Sequence, residues 1–137
     1  MSYVDGVSRI AESASEGLVA GVLATAAMSL FTAALLALVE TAGSKREADS
    51  EAAHWTFGAL LGVIYGLVSA RAPRRLAGRG LAYGALIWLG GSEAGLPALR
   101  RASSKGGHAM NLATHLVYGA ALDRAARGLH AAHEGRG

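Results

Sequence analysis

The chain has 137 residues, a length suited to one domain. It is 52% hydrophobic and 17% charged, carries a formal net charge of +3 and has no cysteine. This excludes disulfides, thiolate metal sites and cysteine nucleophiles. The basic residues lie between apolar runs rather than along one stripe, which points away from nucleic acid and toward anionic lipid headgroups.

Residues 1–16 form a polar N-terminal segment. Val4, Val7, Ile10 and Ala14 would share one side of a short interfacial helix; a frayed polar end is the other reading. Asp5, Glu12 and Glu16 ahead of a long apolar run speak against a signal peptide. The run itself, Gly17 to Val39, has no charge and no proline. As a helix it would be about 34 Å long, enough to cross a hydrocarbon core of about 30 Å. A soluble amphipathic helix would put charges on one face.

A second uncharged run covers 52–70. A third covers 80–99, interrupted by Glu93 and Pro97 within GGSEAGLP, so this span is either continuous or broken between Gly90 and Pro97. The fourth covers 106–122 and holds His108, Asn111 and His115. Short connectors then predict an all-α, polytopic integral membrane protein, a four-transmembrane-helix bundle over residues 17–125. The competing architecture is a small alanine-rich soluble bundle. Residues 126–137 read as a polar, disordered tail. His130 and His133 there stand three apart, a spacing that could hold a metal, but a solvated tail is the expectation and no metal site is assigned.

Lys and Arg number eight on the side holding the N-terminus, the second connector and the tail, against five on the other. The positive-inside rule then puts both termini in the cytoplasm.

Helices in lipid associate through small residues that let backbones approach. Gly58, Gly62 and Gly66 form such a ridge, as do Gly17, Gly21, Thr25 and Ser29. Gly80 with Gly84, Gly91 with Gly95, and Gly119 are further packing positions. These ridges could join helices of one chain or of several.

The polar candidates are His54, Glu93, His108, Asn111, His115 and Tyr118. His54 beside Trp55 suits the membrane interface. His108, Asn111, His115 and Tyr118 share a helix face. Ionisable groups inside a membrane are functional candidates by default, and histidine is the side chain best able to carry a proton or a metal near neutral pH. His108 and His115 are two turns apart, too far to hold one ion together. Interhelical hydrogen bonding is the plainer reading. Glu93 fits the external headgroup level. HWTFG (His54 to Gly58) and HLVYG (His115 to Gly119) share a short pattern, a faint repeat.

The order GLVAGVLATAAMSL, HWTFGALLGVIYG, GLAYGALIWLGG with a later Pro97, and HLVYGAAL resembles the YagU-like group of small bacterial inner-membrane proteins, over about residues 17 to 123. His54, Gly58, Gly62, His115, Tyr118 and Gly119 carry the likeness. The resemblance implies a multi-helix inner-membrane protein without established chemistry, loosely connected with acid tolerance.

No phosphate-binding glycine loop, H-E-x-x-H or G-x-S-x-G occurs, so no catalytic residue and no enzyme is expected. The expected role is a non-catalytic structural or accessory subunit. It would pack through its glycine ridges with itself or with a larger membrane complex. One alternative is a small transporter or proton conductor using His115, His108 and Glu93. Another is a subunit holding haem or a chlorophyll-type pigment through His54 or His115; no cofactor is expected under the leading reading.

Overall fold

The computed structural model describes residues 3–38, 48–71, 78–92 and 105–135. They form four α-helices, with no strand among them: α1 Tyr3–Leu38, α2 Ala48–Ser69, α3 Arg79–Ser92 and α4 Lys105–Glu134. Gly78 precedes α3 with φ of 82°, a left-handed conformation that only glycine adopts cheaply, and its carbonyl accepts from the Ala82 amide. Among the described residues one segment, Gly6–Ala34, is long and apolar enough to cross a membrane; His54–Ser69 is a shorter apolar helix.

The packing is built on glycine. The α1 ridge Gly17, Gly21, Thr25, Ser29 meets the α2 ridge Gly66, Gly62, Gly58, His54 in antiparallel order. A Cβ on Gly62 would lie 2.5 Å from the Gly21 Cα, and one on Gly66 would lie 2.9 Å from the Gly17 Cα. The Thr25 side chain sits against Gly58, and its hydroxyl donates to the Gly21 carbonyl at 2.8 Å. Ser29 Oγ and His54 Nε2 are 3.5 Å apart at the end of the seam. The histidine is thus one more member of a ridge with a four-residue period.

A second seam joins α3 to α4. A Cβ on Gly119 would lie 2.8 Å from the Gly84 nitrogen, and one on Gly84 would meet the backbone of His115. The ridge glycines Gly17, Gly21, Gly58, Gly62, Gly66, Gly80, Gly84 and Gly119 are all spent within the chain. Gly91, by contrast, faces open space, and Gly95 lies outside the described residues.

The two hairpins repeat one another. Gly17 and Gly21 on α1 correspond to Gly80 and Gly84 on α3. Gly62 on α2 then corresponds to Gly119 on α4, and Gly58 to His115. This corrects the sequence repeat, which aligns His54 with His115 and Gly58 with Gly119. The structural equivalence is shifted by one helical turn.

The hairpins join unequally. α1 packs closely on α4, whereas α2 and α3 approach mainly through side chains. The residues at matching positions explain this. Ala20 and Ala24, both fully buried, are the small residues on α1. Their α3 counterparts are Tyr83 and Ile87, whose bulk holds α2 away. Ala20, Ala24, Tyr65, Tyr118 and Leu122 form the buried cluster, with Met28, Leu61, Tyr83 and Leu129 against it.

Two expectations at the chain ends need correction. Residues 3–16 are not a separate interfacial helix; they continue α1 without a break. The tail from residue 126 is not disordered through Glu134; it continues α4. Alanine-rich sequence favours the helix, Ala126 and Leu129 pack onto the core cluster, and His130 and His133 reach carboxylates on α1. Helices of 36 and 30 residues would be about 54 and 45 Å long. Both therefore run past the ends of α2 and α3, side by side.

Candidate functional site

The interior of the bundle is polar at chosen points, and those at Tyr118, Tyr83, Tyr65, Asp123 and Glu16 are paired. Three tyrosines reach between helices. Tyr118 on α4 donates to the Gly58 carbonyl on α2 at 2.7 Å. Tyr83 on α3 donates to the Leu61 carbonyl on α2, also at 2.7 Å. Tyr65 on α2 donates to Asp123 Oδ1 on α4. Tyr65 and Tyr83 also meet ring to ring, centroids 5.0 Å apart and tilted by 59°. Glycine at position 58 leaves room for the Thr25 side chain where a Cβ would stand, while its carbonyl accepts from Tyr118. Tyr118→Phe should keep the fold and lower stability by about 0.5–1 kcal/mol. Denaturation in detergent micelles checks this, and no measurable change would mean the hydroxyl is idle.

Asp123 is the first polar knot. It is 7% exposed and sits one residue past the fourth apolar run. Arg127, one turn along α4, pairs with its Oδ2; Arg79 at the start of α3 lies 3.8 Å from its Oδ1. Arg79 also stacks over the Tyr65 ring, 5.9 Å from its centroid. Burial alone would raise the Asp123 carboxyl. The hydrogen bonds from Arg127 and Tyr65 and the charges of Arg127 and Arg79 outweigh that and hold it below its ordinary value.

The second knot lies where α1 and α4 run on together. Glu12 and Glu16 are one turn apart on α1; His130, His133 and Glu134 lie on one side of α4. His133 Nδ1 is 2.6 Å from Glu16 Oε1 and 3.7 Å from Glu12 Oε1. His130 Nδ1 is 3.5 Å from Glu16 Oε2, and its Nε2 is 3.0 Å from Glu134 Oε1. Glu16 is only 9% exposed. An open cleft of about 250 Å³ adjoins it, lined by Ser13, Glu16, Ser69, Arg79, Arg127 and His130 among others.

The sequence-predicted polar residues are scattered rather than gathered into one site. His54 ends the α1–α2 seam beside Ser29. His115 Nδ1 is 2.8 Å from the Asn111 backbone carbonyl, one turn earlier on its own helix. That carbonyl also accepts from the Thr114 hydroxyl. His108 is half-buried near the start of α4, Tyr118 is spent on Gly58, and Glu93 lies outside the described residues. Sequence reasoning missed Tyr65, Arg79, Asp123, Arg127, Glu12, Glu16 and Glu134 as members of polar clusters. The available signals were local: Asp123 with Arg127, Glu12 with Glu16, and His130 with Glu134 are each four apart, the spacing of neighbours on a helix face.

Compared with known proteins, the chain matches no family model, no curated protein and no solved structure.

Proposed function

We propose that this chain is a non-catalytic, polytopic integral membrane protein, a four-span bundle in a bacterial inner membrane with both termini cytoplasmic. Its role is that of a structural or accessory subunit. One observation carries this reading: many of the large apolar side chains point outward. Leu18, Val22, Leu23 and Leu30 on α1, Phe57, Leu60, Ile64 and Val68 on α2, and Leu81, Leu86 and Leu89 on α3 are all exposed. The inside holds glycine, alanine, tyrosine, Leu122 and paired polar groups. Water would invert that distribution; lipid accepts it, because close packing of small residues, not aliphatic burial, holds helices together there. Buried hydroxyls that bond back to their own helix, as Thr25 and Thr114 do, suit the same solvent.

The glycine seams are filled from within, so docking on a second copy or on a larger complex would use the outward aliphatic faces. The likeness to YagU-like proteins belongs to this proposal; of the residues that carry it, Gly58, Gly62 and Gly119 lie in the seams. A conduction pathway through His115, His108 and Glu93 finds less support, since His115 Nδ1 faces the Asn111 carbonyl of its own helix rather than another titratable group.

The absence of cysteine makes the test clean. Leu23→Cys, Leu60→Cys and Leu86→Cys should resist a membrane-impermeant maleimide from both sides of the membrane until detergent is added. Glu134→Cys should react in inverted vesicles and not in intact spheroplasts. Free labelling of the three leucine positions in membranes, or recovery of the chain in the soluble fraction, would refute the membrane reading.

A further inference from the structure

The geometry points to a binding site for a first-row divalent transition cation, zinc being the reference case, formed by Glu12 and Glu16 of α1 with His130 and His133 of α4. The oxygen and nitrogen ligand atoms of Glu12, Glu16 and His133 all lie within 4.8 Å of one another. Metal bonds of about 2.0–2.2 Å in a tetrahedral site put ligand atoms about 3.4 Å apart. His133 to Glu12 at 3.7 Å and His130 to Glu16 at 3.5 Å already have that spacing. The 2.6 Å contact between His133 and Glu16 must open, by less than about 1 Å, to admit an ion, and His130, which lies outside that 4.8 Å group, must swing in to complete the set.

Charge supports the same conclusion. With neutral imidazoles, the cluster carries three carboxylates, and one of them, Glu16, is almost out of water. A divalent cation would offset most of that charge. The two arginines that line the adjoining cleft pair with Asp123, and Arg9 and Arg71 line a second cleft against Glu12, Glu16 and Glu134, so part of the charge is already met and the cation would offset the remainder. A mixed imidazole and carboxylate set suits zinc, cobalt or nickel better than magnesium or calcium, which prefer oxygen alone.

Support around the ligands is present as well. Glu134 meets Nε2 of His130 while Nδ1 faces Glu16. A carboxylate on the far nitrogen is how metal-binding histidines are usually oriented. The cleft beside Glu16 gives an entry path. The bound ion would clip the N-terminal part of α1 to the C-terminal part of α4, beyond the ends of the two shorter helices.

The test uses the untagged full chain in detergent, titrated with Co²⁺ and followed by its visible absorption, with Zn²⁺ as competitor. Saturable binding of one ion per chain is expected. Glu16→Gln and His133→Ala should each weaken it by at least about 100-fold, more than the loss of a supporting group, and Glu134→Gln by about 10-fold. His108→Ala should leave it unchanged. Should Glu16→Gln fail to fold, as read by helix content, His133→Ala decides the matter, because that side chain is 44% exposed. An absence of Co²⁺ binding by the wild-type chain, or equal binding by His133→Ala, overturns the site. Neither result touches the membrane reading, which the labelling test addresses alone.

Discussion

Gly62→Ala is expected to cost about 3 kcal/mol or more, an unusually large effect for the addition of one methyl group. The new Cβ would lie 2.5 Å from the Gly21 Cα and 2.8 Å from the Gly21 nitrogen. These neighbours are backbone, so no side-chain rotation relieves the overlap; the helices must separate along the whole seam. Separation loses the Gly17, Gly21 and Thr25 contacts together, and in lipid those dispersion contacts are the main force between helices. Gly119→Ala should do the same to the α3–α4 seam. Gly90→Ala is the control. Nothing lies within 4 Å of a Cβ there, so the helix should gain up to about 1 kcal/mol. Denaturant titration of each variant in one detergent, followed by helix content, measures all three. If Gly62→Ala unfolds within about 0.5 kcal/mol of wild type, the seam does not hold the bundle.

Asp123→Ala should lower stability at neutral pH by about 3 kcal/mol, the low end for breaking a buried ion pair. The loss falls on Tyr65, whose buried hydroxyl loses its acceptor, and on Arg79, whose side chain is 15% exposed. Arg127 contributes less, since its side chain is half exposed and solvent screens it. The pH dependence follows from the depressed Asp123 carboxyl. A group whose folded pKa is lowered binds protons more readily in the unfolded chain. Its stabilisation is therefore complete above the unfolded value of about 3.9 and lost as pH falls through the folded value. The difference in unfolding free energy between wild type and Asp123→Asn should stay constant from about pH 7 to pH 5 and shrink below about pH 4. Taking the difference cancels the other carboxylates, Glu12 and Glu16 included. A difference that grows with acid would reverse the assigned direction.

The helical content was legible, and so were the faces. An uncharged run from Gly17 to Val39 is long enough to predict α1, and the four-residue period of Gly58, Gly62 and Gly66 marks the packing side of α2. Register was not legible. On a helix, a shift of one turn keeps every residue on its face, so HWTFG and HLVYG can match in sequence while Gly62, not Gly58, stands where Gly119 stands. Polar partners were hidden for another reason. Glu16 and His133 are 117 positions apart, and Tyr65 and Asp123 are 58 apart. Periodicity within a segment reports which side is apolar and nothing about what lies across from it. The end of α4 was misread because a polar, alanine-rich stretch looks solvated until α1 is known to run beside it.

By itself, then, the sequence determined the four helical segments and the glycine ridges, because each depends on residues a few positions apart along one helix. The tertiary structure alone decided the rest. It closed the ridges within one chain, and small Ala20 and Ala24 let α1 reach α4 where Tyr83 and Ile87 keep α3 off α2. It also brought Asp123 to Tyr65 and Arg79, and Glu16 to His130 and His133. Those pairings depend on the order and depth at which helices pack, and close contact between backbones fixes both only once the bundle has formed.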